Sequence, residues 1–263
     1  MYPILGRYGP FFFYSFTAAL LLGLLLAIGL VAWQARRRAP DVPWLDGVLA
    51  ALVAAVVGGR VVYVAVNWDY FQHHLNESWL VWEGGLSYHG AVLAALVMLW
   101  LWCRLHRIAF GGMAGLLAPA IVLLSTSGWL ACYLEGCAYG SESFIGLFSA
   151  DLPDNYGVFA VRYQTQLLGI LLNLVSFVII WLLRRRLRPL ALFWLALFLI
   201  SSSHFAISFL RGDPAPMIGE IRLDTIADGT LTLLSIIAFA IISILQSPIS
   251  KTHHEPESRT GSD

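Results

Sequence analysis

Apolar residues run along this chain in seven blocks separated by polar or glycine-rich breaks, at about residues 11–33, 44–67, 88–104, 109–131, 166–183, 189–210 and 226–246. Each is close to the roughly 20 residues a helix needs to cross about 30 Å of hydrocarbon, where no water can satisfy a backbone amide. The pattern predicts an all-α integral membrane protein with seven transmembrane helices over residues 1–247. A polar tail, 248–263, is too poor in apolar side chains to fold and is expected to be disordered. The first block begins too late, runs too long and lacks a small-residue cleavage site for a signal peptide, so it is expected to be retained. No internal repeat or soluble domain interrupts the series.

Basic residues follow alternate blocks: Arg36, Arg37 and Arg38, then Arg104 and Arg107, then Arg184, Arg185, Arg186 and Arg188, and finally Lys251 and Arg259. Basic residues accumulate on the cytoplasmic side of membrane proteins. The expected topology therefore has the N-terminus outside, the C-terminus in the cytosol, and 68–87, 132–165 and 211–225 as outward loops. These are the long connections, and long loops on a rigid scaffold commonly carry binding groups.

Composition agrees. Of 263 residues 59% are hydrophobic and only 12% charged, against about 25% charged in a soluble domain. Sixteen basic and sixteen acidic side chains cancel, so no overall field points to nucleic acid. Three cysteines are too few and scattered for a disulfide framework, and none has zinc-knuckle spacing; no metal or cofactor is expected.

Polar groups at membrane depth carry the candidate chemistry, because an ionisable residue inside a span costs about 2.5–3.5 kcal/mol and needs a reason. Arg60 follows Gly58 and Gly59, with Tyr63 on the same helix face. Its guanidinium fork suits a lipid phosphate; the alternative is a snorkelling or structural arginine. Ser87 is placed to cap the third span, which puts His89 in the first turn, where the positive helix end favours a neutral, base-competent imidazole. Glu83 could orient His89 or be a solvated loop carboxylate. The fourth span ends in SGWLACYLEGCAYGSES, where Gly136 and Gly140 suit either a headgroup pocket or a plain turn beside Glu135. Cys132 and Cys137 lack enough neighbouring ligands for a metal and read as small interfacial apolar residues. His204 and Arg211 lie seven apart, and Asp224 and Asp228 open the seventh span, Asp224 as a helix cap. Arg60, His89, Glu135, His204, Arg211 and Asp228 all fall at outward ends of spans, which implies one polar cavity there.

These segments resemble the prolipoprotein diacylglyceryl transferases. VVGGRVVYV at 56–64 is similar to that family's Gly-Gly-Arg-x-x-Tyr segment, and WEGGLSYHGAVLAA at 82–95 to its Gly-Gly-[Met/Leu]-Ser-[Phe/Tyr]-His-Gly segment. The resemblance covers about residues 9–247, with a short Gln166-Leu167 match as well. It implies transfer of diacylglycerol from phosphatidylglycerol to the lipobox cysteine of a prolipoprotein, at the outer face of a bacterial plasma membrane. His89 is implied as the catalytic base, with Arg60, Tyr63, Ser87, Glu135, Gly140, His204 and Arg211 as substrate-binding residues.

The match is partial. Gly140 falls on the last glycine of the family's Arg-x-Gly-Asn-x-x-x-Gly-Glu-x-x-Gly signature, but Trp129 stands for its phosphatidylglycerol-contacting arginine, Cys132 for the asparagine and Cys137 for the glutamate. Ser15-Phe16-Thr17 replaces an N-terminal Trp-Tyr-Gly. Ile200 and His204 replace a Tyr-x-x-x-Arg pair, and Ser208 a glutamate, while Arg211 matches the final arginine. The resemblance thus implies either a transferase with a rearranged polar site or a fold that binds lipid or lipoprotein without catalysis. A solute transporter fits less well, without repeats or broken helices.

Overall fold

The computed structural model of the chain describes residues 4–9, 11–38, 42–143, 146, 148–154 and 156–245. The tail expected to be disordered, 248–263, lies outside the described residues. Seven helices are long and apolar enough to cross a membrane: α1 (Ser15–Arg38), α2 (Trp44–Val66), α4 (Tyr88–Leu105), α5 (Phe110–Glu135), α6 (Thr165–Leu183), α7 (Pro189–Ser208) and α8 (Leu223–Leu245). A short helix α3 (Trp68–Phe71) and two 3₁₀ turns, Leu75–Trp79 and Val81–Glu83, fill the loop before α4.

Helix α5 is the centre. It packs against α1, α6 and α7, and more than half of its membrane-length window is buried inside the protein. Ala114, Ala118 and Val122 of α5 meet Ile180 of α6 and Leu192, Phe193, Ala196 and Ile200 of α7 in the main core. Small residues dominate the α5 face because helices in lipid associate through close backbone approach rather than water exclusion. Helices α2 and α4 form a second pair. Gly58 lies where a Cβ would collide with Ala94 and the Gly90 carbonyl, so the glycine lets α4 lie directly on α2.

The all-α expectation needs one correction. The loops carry three antiparallel hairpins: β1 (Ile4–Tyr8) with β2 (Phe11–Tyr14), β3 (Ser149–Pro153) with β4 (Phe159–Tyr163), and β5 (Met217–Ile218) with β6 (Ile221–Arg222). The apolar run starting at 11 is therefore strand first and helix only from Ser15. A turn after Tyr8 folds the aromatic segment Phe11–Tyr14 back on Ile4–Tyr8 before the leucine-rich helix begins. The other span limits differ from expectation by a few residues, the largest differences being at the ends of α1, which continues to Arg38, and α5, which continues to Glu135.

Candidate active site

The start of α4 is held in place by backbone. The Ser87 amide donates to the Gly59 carbonyl at 2.9 Å, and Ser87 Oγ accepts from the Gly90 amide at 3.3 Å, which caps the helix. The glycine at 59 brings α2 close enough for the first bond. The next turn presents Tyr88 to α7 and His89 to α8.

His89 Nε2 lies 2.8 Å from Asp228 Oδ1, one turn into α8. Asp228 is 3% exposed. A carboxylate can only accept, so it holds a proton on Nε2 and leaves Nδ1 as the imidazole's basic nitrogen. The orienting carboxylate is thus Asp228 and not Glu83, which sits in a separate small cavity with Arg60 and Tyr63. The sequence separation of 139 residues hides this pairing.

Beside the dyad, Tyr88 stacks on His204, centroids 4.9 Å and planes 14° apart, and meets His89 edge-on at 5.2 Å. Trp129 Nε1 donates to His204 Nε2 at 3.1 Å, and Ser125 Oγ is 3.4 Å from the same nitrogen. Because indole only donates, His204 carries its proton on Nδ1. Four helices, α4, α5, α7 and α8, thus converge on one aromatic and carboxylate cluster. The sequence gives no sign of Tyr88 and Ser125 as members, since each suits an apolar or interfacial helix without a special role, and it marks Trp129 only as a replacement for the arginine that the resemblance implies.

Arg211 lies beyond the end of α7, on the loop. It donates to both carboxylate oxygens of Asp213 and, at 2.9 Å, to Asp224 Oδ2; Arg222 joins the same two aspartates. Burial works against the Arg211 charge, but the Asp213 hydrogen bond and the surrounding carboxylates raise its pKa overall. Asp224 also accepts from the Thr225 amide at 2.9 Å, so its helix-end role and its ion pairs coexist. An open cavity of about 550 Å³ lies on this network, lined by Ser208, Arg211, Asp213, Glu220, Arg222 and Thr225 among others.

Arg60 is ringed by backbone carbonyls. Nε donates to the Ser78 carbonyl at 2.9 Å, Nη1 to Gly84 at 2.6 Å and Gly85 at 3.1 Å, and Nη2 to Glu77 at 2.6 Å. Tyr63 and Phe71 flank the guanidinium. A side chain surrounded by carbonyls fastens the loop 77–85 to α2 and has little donor capacity left for an anion.

Glu135 is exposed and joins neither cluster. Gly140 forms a bridge with Arg211, and a Cβ there would run into the Tyr163 carbonyl, so this glycine serves close chain packing. Cys132 and Cys137 are a disulfide, which corrects their reading as separate apolar residues. Gly136, at φ 97°, ends α5 in the left-handed region and turns the chain back so that the two Cα atoms come within 4.7 Å. Among the described residues, no group of three or more His, Cys, Asp or Glu could hold a metal ion.

Residues 3–245 match the family described as prolipoprotein diacylglyceryl transferase. The chain is 33% identical over 238 residues to the phosphatidylglycerol–prolipoprotein diacylglyceryl transferase of Geobacillus kaustophilus, covering 87% of each chain. It is 26% identical over 264 residues to that of Ligilactobacillus salivarius, covering 97% of this chain and 94% of the relative. With the Streptococcus uberis protein of the same name it shares 28% over 262 residues, 94% and 97% of the two chains.

Proposed function

This chain belongs to the prolipoprotein diacylglyceryl transferase family, and from that premise we propose that it moves the diacylglyceryl group of phosphatidylglycerol onto the lipobox cysteine of a prolipoprotein. The observation that carries the reading is the His89–Asp228 pair, a histidine with one nitrogen held by a buried carboxylate and the other left basic.

In this reaction His89 Nδ1 takes the proton from the acceptor thiol, because the thiolate is the nucleophile. Sulfur attacks the glycerol carbon that bears the phosphate, a C–S bond forms, and the C–O bond to phosphate breaks. The electron pair leaves on oxygen as glycerol phosphate. Asp228 stabilises the imidazolium without giving up its own charge. His204 Nδ1–H and the Tyr88 hydroxyl are neutral donors beside this base. Arg60 acts by fastening the outward loop rather than by touching phosphate, and Ser87 by fixing the helix turn that carries His89.

We assign the site to the outer leaflet of the bacterial plasma membrane, with the N-terminus outside. The alternating basic clusters support this, and so does the disulfide at the same end of the bundle, since such bonds persist in oxidising compartments.

One observation favours a second reading. Arg60 is surrounded by carbonyls, and Arg211 and Arg222 are paired with Asp213 and Asp224, so no free guanidinium stands in the His89 cluster among the described residues. That arrangement would suit a protein that binds lipid or lipoprotein without transfer. Incubating the purified chain with phosphatidylglycerol and a lipobox peptide decides between them. A thioether-linked diacylglyceryl peptide, absent with His89→Gln, is the expected result; its absence with the unaltered chain supports the binding reading.

A further inference from the structure

The end of the bundle opposite His89 holds a second built cluster. α1 ends on Arg36, Arg37 and Arg38, and α6 is followed by Arg184, Arg185 and Arg186. Both helices pack along α5. Between them Trp33 of α1 and Trp181 of α6 stack, centroids 5.9 Å and planes 21° apart, with Phe177 5.8 Å from Trp181. Two guanidiniums lie on this aromatic pair: Arg37 Cζ is 4.4 Å from the Trp33 centroid, and Arg184 covers Trp181 while standing 5.8 Å from Trp33.

Stacking occupies the faces of a guanidinium and leaves its edges, where every N–H points. In Arg184 both Nε and Nη1 are buried and have no acceptor among the described residues. A buried charged donor without an acceptor is unfavourable, so such a group is normally paired. No ion pair involves Arg37 or Arg184 among the described residues. Burial, and then the charges of Arg38 and Arg185, lower the pKa of Arg184, so the neighbourhood adds positive charge rather than compensating it. The carbonyl ends of α1 and α6 account for a preference for cations here, but not for two unmet donors.

The geometry points to a binding site for the phosphate of an anionic phospholipid, on Arg37 and Arg184, in the leaflet opposite that of the His89 site. The Arg184 edge takes the phosphate oxygens and Arg37 adds the second charge. The occupant is a lipid rather than free phosphate because the cluster ends two apolar spans whose outer faces are aliphatic. Val178 and Leu182, one turn apart on α6, are 54% and 67% exposed directly before Arg184.

Native mass spectrometry of the full chain, stripped with detergent and re-equilibrated with phosphatidylglycerol or phosphatidylcholine, tests this. The unaltered chain is expected to retain one more phosphatidylglycerol than Arg184→Gln, with phosphatidylcholine at least 10-fold poorer at filling that place and 10 mM inorganic phosphate unable to empty it. The loss is read at Arg184, at the end of the bundle away from His89, which separates this site from the transferase site. Equal retention by Arg184→Gln, equal retention of phosphatidylcholine, or displacement by inorganic phosphate would overturn the proposal. Should Arg184→Gln fail to fold, a photoreactive benzophenone side chain at Leu182 serves instead. Labelling of phosphatidylglycerol at least 10-fold above phosphatidylcholine supports the site, and equal labelling of the two lipids rejects it.

Discussion

The indole N–H of Trp129 donates to Nε2 of His204 across 3.1 Å, joining α5 to α7 in the polar half of the bundle. Two neutral aromatic groups thus bond to each other between the helices.

Removing the donor tests how tightly the pair is coupled. Trp129→Phe keeps most of the ring volume but leaves a buried acceptor with only the longer Ser125 contact, at a cost of about 1–3 kcal/mol. His204→Phe removes the acceptor and can keep the Tyr88 stack. The double variant should cost less than the sum of the two singles, read as thermal midpoints in detergent. Strict additivity would mean that the bond contributes nothing.

The dyad predicts a split between chemistry and binding. His89→Gln should abolish transfer with little effect on expression or phosphatidylglycerol binding. Asp228→Asn keeps the shape but can offer its amide N–H to Nε2, which moves the proton to Nδ1 and removes the basic nitrogen. Turnover should fall by about 10²–10⁴-fold with KM nearly unchanged. A KM effect of the same size would show that Asp228 acts in substrate binding.

Arg60 should behave as a fastening residue. Arg60→Leu strands four carbonyl acceptors and releases the loop 77–85, so amide exchange there should rise before global unfolding does. Arg60→Lys keeps the charge but cannot reach carbonyls on both sides with a fork, and should restore protection only partly. Loss of phosphatidylglycerol affinity in Arg60→Lys with normal loop protection would instead favour direct contact with phosphate.

The spans were legible because hydrocarbon imposes its own length on an apolar run, whatever the fold inside. His89, Ser87 and the Gly-Gly-Arg turn were legible for a local reason: capping and close helix approach act over a few residues. What the sequence hid was long-range. The partner of His89 is 139 residues away, and Glu83 is nearer in the chain but lies in a different cavity. The sequence offers Arg60 as a phosphate ligand and gives no sign that the backbone of residues 77–85 folds around it. Cys132 and Cys137 pair only because α5 runs one turn longer than its apolar block, so that Gly136 can reverse the chain.

The β3–β4 hairpin should be sensitive to acid. Asp154 accepts from the Val158 amide at 3.0 Å and the Tyr156 amide at 2.8 Å; with Arg162 beside it, these bonds hold its carboxyl below the ordinary value of 3.8. A carboxyl depressed in the folded state stabilises the hairpin at every pH above its unfolded value and loses that contribution as pH falls through the lower folded value. Protection of the Tyr156 and Val158 amides should therefore persist at pH 5 and decline below about pH 4. Asp154→Asn should remove the dependence, and an unchanged acid response in that variant would assign it elsewhere.

The disulfide makes the topology testable with little background. Cys132 and Cys137 are oxidised and Cys103 is buried, so the unaltered chain should react poorly with an impermeant maleimide in intact cells. Tyr156→Cys, on the exposed turn of the β3–β4 hairpin, should be labelled, and Arg185→Cys, at the basic end of α6, only after lysis. Reductant should expose two further thiols, and Cys132→Ser with Cys137→Ser should cost about 2 kcal/mol, the chain-entropy value for so short a loop. Labelling of Arg185→Cys but not Tyr156→Cys in intact cells would invert the protein in the membrane. It would also put the disulfide in a reducing compartment, where it would not persist, and so remove the outer-leaflet assignment of the His89 site.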